Sequence, residues 1–497
     1  GHIYTYQPGH FIFQGAGQFQ SVCGNIQKGK GVSILRSTEP STIRAIYVLA
    51  HELGHMFGAL HTFNGTLDDC GPSRFAQVAY EPGSGSTIMA YRGGVLPNGT
   101  YFPLCGAEEL FSDDTYFHTA SIEQIVNYTT FGNGSFCPLL TSTENNPPNV
   151  DAGIDYTIPA NTPFALTATA SDPEADALTY CWEEYDLGSA SPPDTDNGNR
   201  PIFRSFAPVP SPTRTFPQLS DILSSTPTFG ESLPTTTRTM NLRVTVRDNH
   251  SGGGGVNTGA MRVNVVSGSG PFAITQPSSS TTWVASSTQT VTWNVANTSA
   301  APINCLSVRI LLSIDGGNTF PVMLSSSRPN NGAATVIIPN MPTSTARIKI
   351  EAVDNIFFNI SLPNFTITPN STAAPTLLTE GNTNRAIALD SVTFLRDPFP
   401  LTTINNFSLD QRTRITVFAV GLELLPGEDL SVVTAQAEDI GNKTYPLKVE
   451  YASKVLGFDW LTQVVIRLPD DFLNAGDFFV SVSLRGAVSN KVVIGIR

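Results

Sequence analysis

Long apolar runs are missing from this chain. No stretch reaches the roughly 18–20 residues that a helix needs to cross a bilayer, so no transmembrane segment is expected. Positive charge is short as well: 28 Lys and Arg stand against 41 Asp and Glu, a net charge of −13. Nucleic-acid binding needs basic stripes to meet phosphates, so no nucleic-acid partner is expected. Charged residues of either sign make up only 14% of the chain, and Ser, Thr, Asn, Gly and Pro take their place. The sequence opens on Gly1 with neither an initiator methionine nor a signal peptide, and reads as a processed or partial chain. At 497 residues it exceeds one hydrophobic core. These shortages together predict a secreted or cell-surface protein of several domains.

Cysteine is sparse, with six residues and no CxxC spacing. Four of them, Cys23, Cys70, Cys105 and Cys137, fall within the first 140 residues. In a secreted setting they read as disulfides, with Cys70–Cys105 the preferred local pair and Cys23–Cys137 following by elimination. Cys181 and Cys305 lie in later domains and read as small buried hydrophobes. Asn-x-Ser/Thr triplets recur, Asn64 among them, and in a chain this rich in Asn, Ser and Thr chance accounts for most.

The first 36 residues mix aromatics and glycine in strand-and-loop fashion. From Ser41, a plausible N-cap after Pro40, the pattern turns helical: Ile43, Ile46, Tyr47, Ala50, Leu53 and Phe57 recur at three- and four-residue steps. Gly58 is a plausible stop, because glycine takes the left-handed conformation that ends helices. A second short helix is expected over "HTASIEQIVNYTT" (118–130), and "TENNPPNVDAG" (143–153) reads as a linker. Beyond it the chain shows alternating strands and turn residues with no long helix. Breaks near 268 and 370 divide it into β-units of sandwich size. The expected domains are 1–142, 143–268, 269–369 and 370–497.

Seven histidines occur in the whole chain, and three of them fall in "HELGHMFGALH" (51–61). His51 and His55, at i and i+4, share one helix face and can hold one metal through their imidazole nitrogens. Glu52 projects beside them, placed to take a proton from water. Gly58 lets the chain turn so that His61 swings back as third ligand. Three protein ligands leave a fourth position open, the mark of a catalytic site. A bare HExxH arises by chance; the extended HExxHxxGxxH is far more specific for zinc.

Downstream stands "GSTIMAY" (85–91). HExxHxxGxxH followed by a methionine turn is the metzincin signature, and residues 1–142 resemble that clan of zinc endopeptidases. "HTFNG", "YEPGSGSTIMAY" and "YFHTASIEQI" resemble the bacterial reprolysin-like secreted type. The resemblance implies an α+β catalytic domain, Zn2+ as cofactor, a protein or peptide substrate, and Glu52 as general base. It places Met89 beneath the ligands, supporting them without binding metal. It gives Tyr91, as in astacin- and serralysin-like branches, the role of a switchable ligand and oxyanion donor; the alternative is an ordinary packed aromatic. More weakly, "DPEADALTYCWEEYDLG" (172–188) resembles cadherin- or Ig-like modules, residues 287–324 resemble fibronectin type III-like modules, and the last unit resembles C-terminal Ig-like domains of bacterial surface proteins.

Two departures stand out. Only fifty residues precede His51, too few for the full sheet of the clan, so an incomplete N-terminal sheet is expected. Thr62 follows the third histidine, where each metzincin family has its own characteristic residue. Asp172, Glu174 and Asp176 form an acidic turn that either binds Ca2+ through its oxygens or is simply solvated. His2, His10, His118 and His250 show no ligand spacing and read as structural or exposed. Against the peptidase stands a second reading: a surface assembly subunit with a vestigial peptidase, self-associating through its β-sandwiches.

Overall fold

The computed structural model describes residues 2–6, 14–24, 30–35, 42–95, 101–111, 114–278, 281–370, 374–381, 383–404, 408–424, 428–472 and 475–497. The expected cap at Ser41, Pro40 before it, and His10 lie outside them.

The N-terminal unit is α+β. Strands β1 (His2–Tyr6), β2 (Gln14–Gly17) and β3 (Gly31–Leu35) form a sheet of order β1-β3-β2. β1 runs parallel to β3 and β2 antiparallel, which leaves β2 at an edge. Helix α1 (Thr42–Met56) packs against β2 and β3. Tyr47 of its apolar series is buried, whereas Ile46 is 55% exposed and belongs to the outer face. The helix stops where expected: Gly58 has φ +94°, a conformation that side-chain-bearing residues resist. At the helix end the His55 carbonyl accepts from the N–H groups of Gly58 and Gln20 (both 3.0 Å), and that of Met56 from Val22 N–H (3.3 Å).

The second of the two expected helices spans Thr119–Thr130, and buried His118 caps it by accepting from the Ala120 N–H. Tyr128 on this helix donates to the carbonyls of Gln20 (2.8 Å) and Val22 (2.6 Å), so it holds the same turn that closes α1. Both expected disulfides are formed, Cys23–Cys137 and Cys70–Cys105, while Cys181 and Cys305 are free and buried.

From Asn149 onward the regular structure among the described residues is β apart from one six-residue helix, Leu219–Ser224, and a three-residue 3-10 turn, Leu430–Val432. Residues 149–266 carry a four-stranded sheet and two two-stranded ones; 273–368 carry a three-stranded and a six-stranded sheet; 376–496 carry a nine-stranded sheet. In Arg238–Arg247, Met240, Leu242, Val244 and Val246 alternate inward, the period-two pattern that buries one sheet face. Among the described residues no helix is long and apolar enough to cross a membrane.

The expected break at 268 separates sheets but not cores. One continuous cluster runs from Ala152 to Ile367, and a second from Leu377 to Ile496. At the junction of the first two β-units Phe357 meets Phe272 edge-on at 5.2 Å. Backbone bonds Ala165 N–H to Ile356 O and Phe358 N–H to Pro163 O, both 3.0 Å, cross it. The helical unit is joined to the first sandwich just as closely. Glu183, fully buried, accepts from the Thr119 N–H (2.9 Å) and from Ser205 Oγ (2.8 Å), and so sits at the start of the second helix, where an anion is favoured. Tyr116 donates to Ser205 Oγ (2.7 Å), and Tyr185 donates to Glu123 (2.6 Å).

A shared core has a measurable signature. Phe357→Ala should cost about 3–5 kcal/mol, the usual range for deleting a buried Phe. Hydrogen exchange should quicken in strands of both flanking β-units; loss confined to one of them would mean that the two cores fold independently.

Candidate metal centre

His51 and His55 lie one turn apart on α1, and the chain reversal at Gly58 returns His61 to the same point. The Nε2 atoms of His51 and His61 are 3.2 Å apart, and those of His55 and His61 3.1 Å. Each ring's Nδ1 faces a backbone carbonyl: His51 that of Ile88 (2.7 Å), His55 that of Ala59 (2.8 Å), His61 that of Ser73 (2.8 Å). A carbonyl can only accept, so each Nδ1 holds its proton and each Nε2 presents a lone pair.

Three lone pairs therefore face one another at close range, which is unfavourable unless a cation lies between them. In tetrahedral zinc at about 2.0–2.1 Å, ligand nitrogens stand about 3.3–3.4 Å apart, close to the spacing seen. The donor set fits zinc. Burial holds the His51 imidazole well below its ordinary pKa, with the His55 and His61 rings adding to the effect. Burial likewise lowers His55, and brings His61 down to about 4. Neutral imidazole is the ligating form.

Glu52 is buried beside this triad, and burial pushes its carboxyl up to about 7, opposed by the N–H of Gly17. Its room comes from β2. A Cβ at Gly15 would fall 2.3 Å from Glu52 Oε1, and one at Gly17 would fall 2.2 Å from the Glu52 carbonyl oxygen. Residues i and i+2 of a strand share a face, so these alternating glycines form the slot that the glutamate enters.

The floor is the loop 84–91. Met89 is fully buried, with its sulfur against Gly54 of α1, where a Cβ would stand only 2.4 Å away. Tyr47 donates to the carbonyls of Thr87 (2.9 Å) and Ala90 (2.8 Å), tying helix to loop. Glu81, buried, gathers the rest: its carboxylate accepts from Thr62 Oγ1 (2.5 Å), the N–H groups of Ser86 (2.9 Å) and Thr87 (3.1 Å), and Thr87 Oγ1 (2.7 Å). Thr62, which follows the third histidine, thus serves as a donor to Glu81.

Tyr91 packs on the ligand side of this loop. Its ring centroid is 4.6 Å from that of His61 and 4.7 Å from that of Phe63. Burial raises its phenol above the ordinary pKa, and the neighbouring Ser73 side chain opposes the rise.

The acidic turn at 172–176 is arranged otherwise. Asp172 Oδ1 accepts from the N–H groups of Glu174 and Asp176, Glu174 holds Asn146, and Asp176 pairs with His250 at 2.7 Å. Among the described residues, His51, His55 and His61 are the one set of three or more ligand-type side chains placed to share an ion. Asp172, Glu174 and Asp176 are not brought to a common point. Asn64 is also engaged: it is buried, its Oδ1 accepts from Arg74 and its Nδ2 donates to the Ser189 carbonyl (3.2 Å).

The HExxHxxGxxH spacing points to the three histidines that the structure brings together, but spacing does not point to Glu81, Tyr47, Gly15 or Gly17. The alternating glycines of "QGAG" in a strand were a usable signal; Glu81, one acid among turn residues, offered none.

Residues 13–103 match the family model Reprolysin_5, metallo-peptidase family M12. No curated protein matches the chain. Among solved structures, the complex of Dpr2 Ig1-Ig2 with DIP-Theta Ig1-Ig3 is similar at 8% identity, over 71% of this chain and 99% of that one, TM-score 0.18. The Ig1-2 module of the Drosophila receptor protein tyrosine phosphatase DLAR is similar at 8%, over 45% and 100%, TM-score 0.25. The chicken CNTN1 FN1-FN3 domains are similar at 11%, over 71% and 99%, TM-score 0.15.

Glu81→Gln keeps size but replaces one acceptor oxygen by an NH2 group facing donors. It should destabilise the helical unit by about 1–3 kcal/mol in urea unfolding followed by helix signal. A midpoint equal to wild type would show that the carboxylate does not organise the loop.

Proposed function

We propose that the chain is a zinc-dependent endopeptidase of secreted or cell-surface type, with His51, His55 and His61 as metal ligands. The observation that carries this is the convergence of three Nε2 lone pairs, each fixed by a carbonyl behind its ring. The match of residues 13–103 to a metallopeptidase family supports the same reading. Two disulfides agree with an oxidising compartment.

A bound zinc ion supplies Lewis acidity, polarising a carbonyl and making water a nucleophile near neutral pH. Glu52 is the general base: it takes the proton of the attacking water and delivers it to the leaving amine. With burial raising its carboxyl to about 7, it can hold a proton between the two steps. Tyr91 is the candidate oxyanion donor, its phenol kept protonated by burial. Substrate binds extended along β2, which stands at a sheet edge with Gly15 and Gly17 against Glu52. Main-chain pairing to that edge would bring a peptide bond beside the base.

Glu52→Gln should retain stoichiometric zinc, because no ligand is lost, while proteolysis of an unfolded protein substrate falls by about 10²–10⁴-fold. Loss of zinc in that variant would reassign Glu52, and a zinc-free, inert wild type would favour the assembly-subunit reading. Tyr91→Phe should also keep zinc. Its kcat should drop on the order of a hundredfold with KM little changed, as for an interaction made mainly in the transition state. Wild-type kcat would reduce Tyr91 to a packed aromatic.

A further inference from the structure

Two of the three histidines stand on a rigid helix; the third does not. His61 depends on the segment 70–75, which leaves the Cys70–Cys105 disulfide, passes through the short helix Cys70–Ser73 and continues as coil. The Ser73 carbonyl holds His61 Nδ1, and the Ser73 side chain neighbours the Tyr91 phenol. The next residue, Arg74, directs Nε (3.0 Å) and Nη2 (2.7 Å) onto Asn64 Oδ1, and the same Nη2 donates to the Gly188 carbonyl at 3.0 Å. Asn64 in turn donates to the carbonyl of Ser189 (3.2 Å), and its backbone N–H to Glu81 O (2.8 Å).

Gly188 and Ser189 belong to the first β-sandwich, beyond the linker. Among the described residues no carboxylate forms an ion pair with Arg74. Its fork is spent on an amide and a backbone carbonyl, where planarity and direction matter more than charge. Partial burial, which lowers its pKa, agrees with a side chain committed to that geometry.

We infer that Arg74 is a positioning residue for the metal centre. It fastens the segment carrying Ser73 to the Gly188–Ser189 loop, and the Ser73 carbonyl so placed sets the direction of the His61 imidazole. The first β-sandwich is then part of the ligand scaffold, because it supplies the anchor for the one ligand that α1 does not hold. The inference rests on the zinc reading above. Partners behind a metal-binding histidine commonly influence affinity or activity by about 10–100-fold.

The test uses the full chain loaded with Co2+, whose visible spectrum reports ligand geometry. Arg74→Ala should keep the far-ultraviolet signature of the fold yet shift the cobalt bands. It should release metal to a chelator about 10–100-fold faster, and lower kcat more than it changes KM. Phe357→Ala, which weakens the β-units without touching 64–75, should leave spectrum and release rate as in wild type. Arg74→Lys keeps charge without the fork and should fall with Arg74→Ala; it serves in its place if the alanine variant does not fold. Wild-type bands and release in a folded Arg74 variant would overturn the inference, as would equal changes in Phe357→Ala. Wild-type protein that takes up no cobalt would overturn the zinc reading itself, a result distinct from either.

Discussion

Three backbone carbonyls behind three imidazoles are the constraint on which the rest of the N-terminal unit depends. Each one fixes a proton on Nδ1, turns a lone pair inward and prevents the ring from rotating away. The carbonyls come from different places: Ala59 from the helix-terminating turn, Ile88 from the loop under the helix, Ser73 from the disulfide-held segment. Placing them at once requires that the helix, the loop and the segment be mutually locked. That requirement accounts for the concentration of buried polar groups here. Tyr47 binds helix to loop, Glu81 binds loop to the strand-like stretch after His61, and Arg74 binds segment to sandwich.

The close approaches follow the same logic. Met89 reaches the underside of α1 because residue 54 is glycine, and Glu52 lies against β2 because residues 15 and 17 are glycine. At each of these positions the missing side chain makes room for a larger neighbour. Such contacts are dense, polar and tolerant of little change. The β-units, by contrast, rest on alternating apolar strands whose burial is non-directional.

What could be read from the sequence was whatever lies close along the chain or follows from local chemistry. The 3.6 period gave α1 and the HExxHxxGxxH spacing gave the triad. Gly58 gave the reversal, and cysteine pairing followed from four residues near one motif. Ile46 followed the same periodicity yet faces solvent, because the helix is covered on one side only. Partners far apart in sequence were not legible: Glu81 with Thr62, Glu183 with Thr119, Arg74 with Gly188. The break at 268 was inferred from glycine, serine and proline in "VVSGSGPF", which mark where strands end and say nothing about whether the cores on either side merge. In the acidic turn at 172–176 the partners were likewise out of reach of a spacing rule: Asp172 Oδ1 accepts from backbone N–H groups, Glu174 holds an asparagine and Asp176 a histidine.

The place of Asn64 bears on how the protein can be made. Its triplet, Asn64-Gly65-Thr66, is a glycosylation acceptor by sequence, yet both ends of its amide are committed inside the fold. Sugar transferred to that nitrogen in a eukaryotic secretory pathway, before folding is complete, would be a bulky group where the carbonyl of Ser189 must lie. The native arrangement around residues 64–75 could not close on such a chain. Secretion in yeast or animal cells would then divide the product into an unmodified fraction that matures and a glycosylated one that does not. A bacterial periplasm, which forms disulfides without attaching this glycan, suits the molecule.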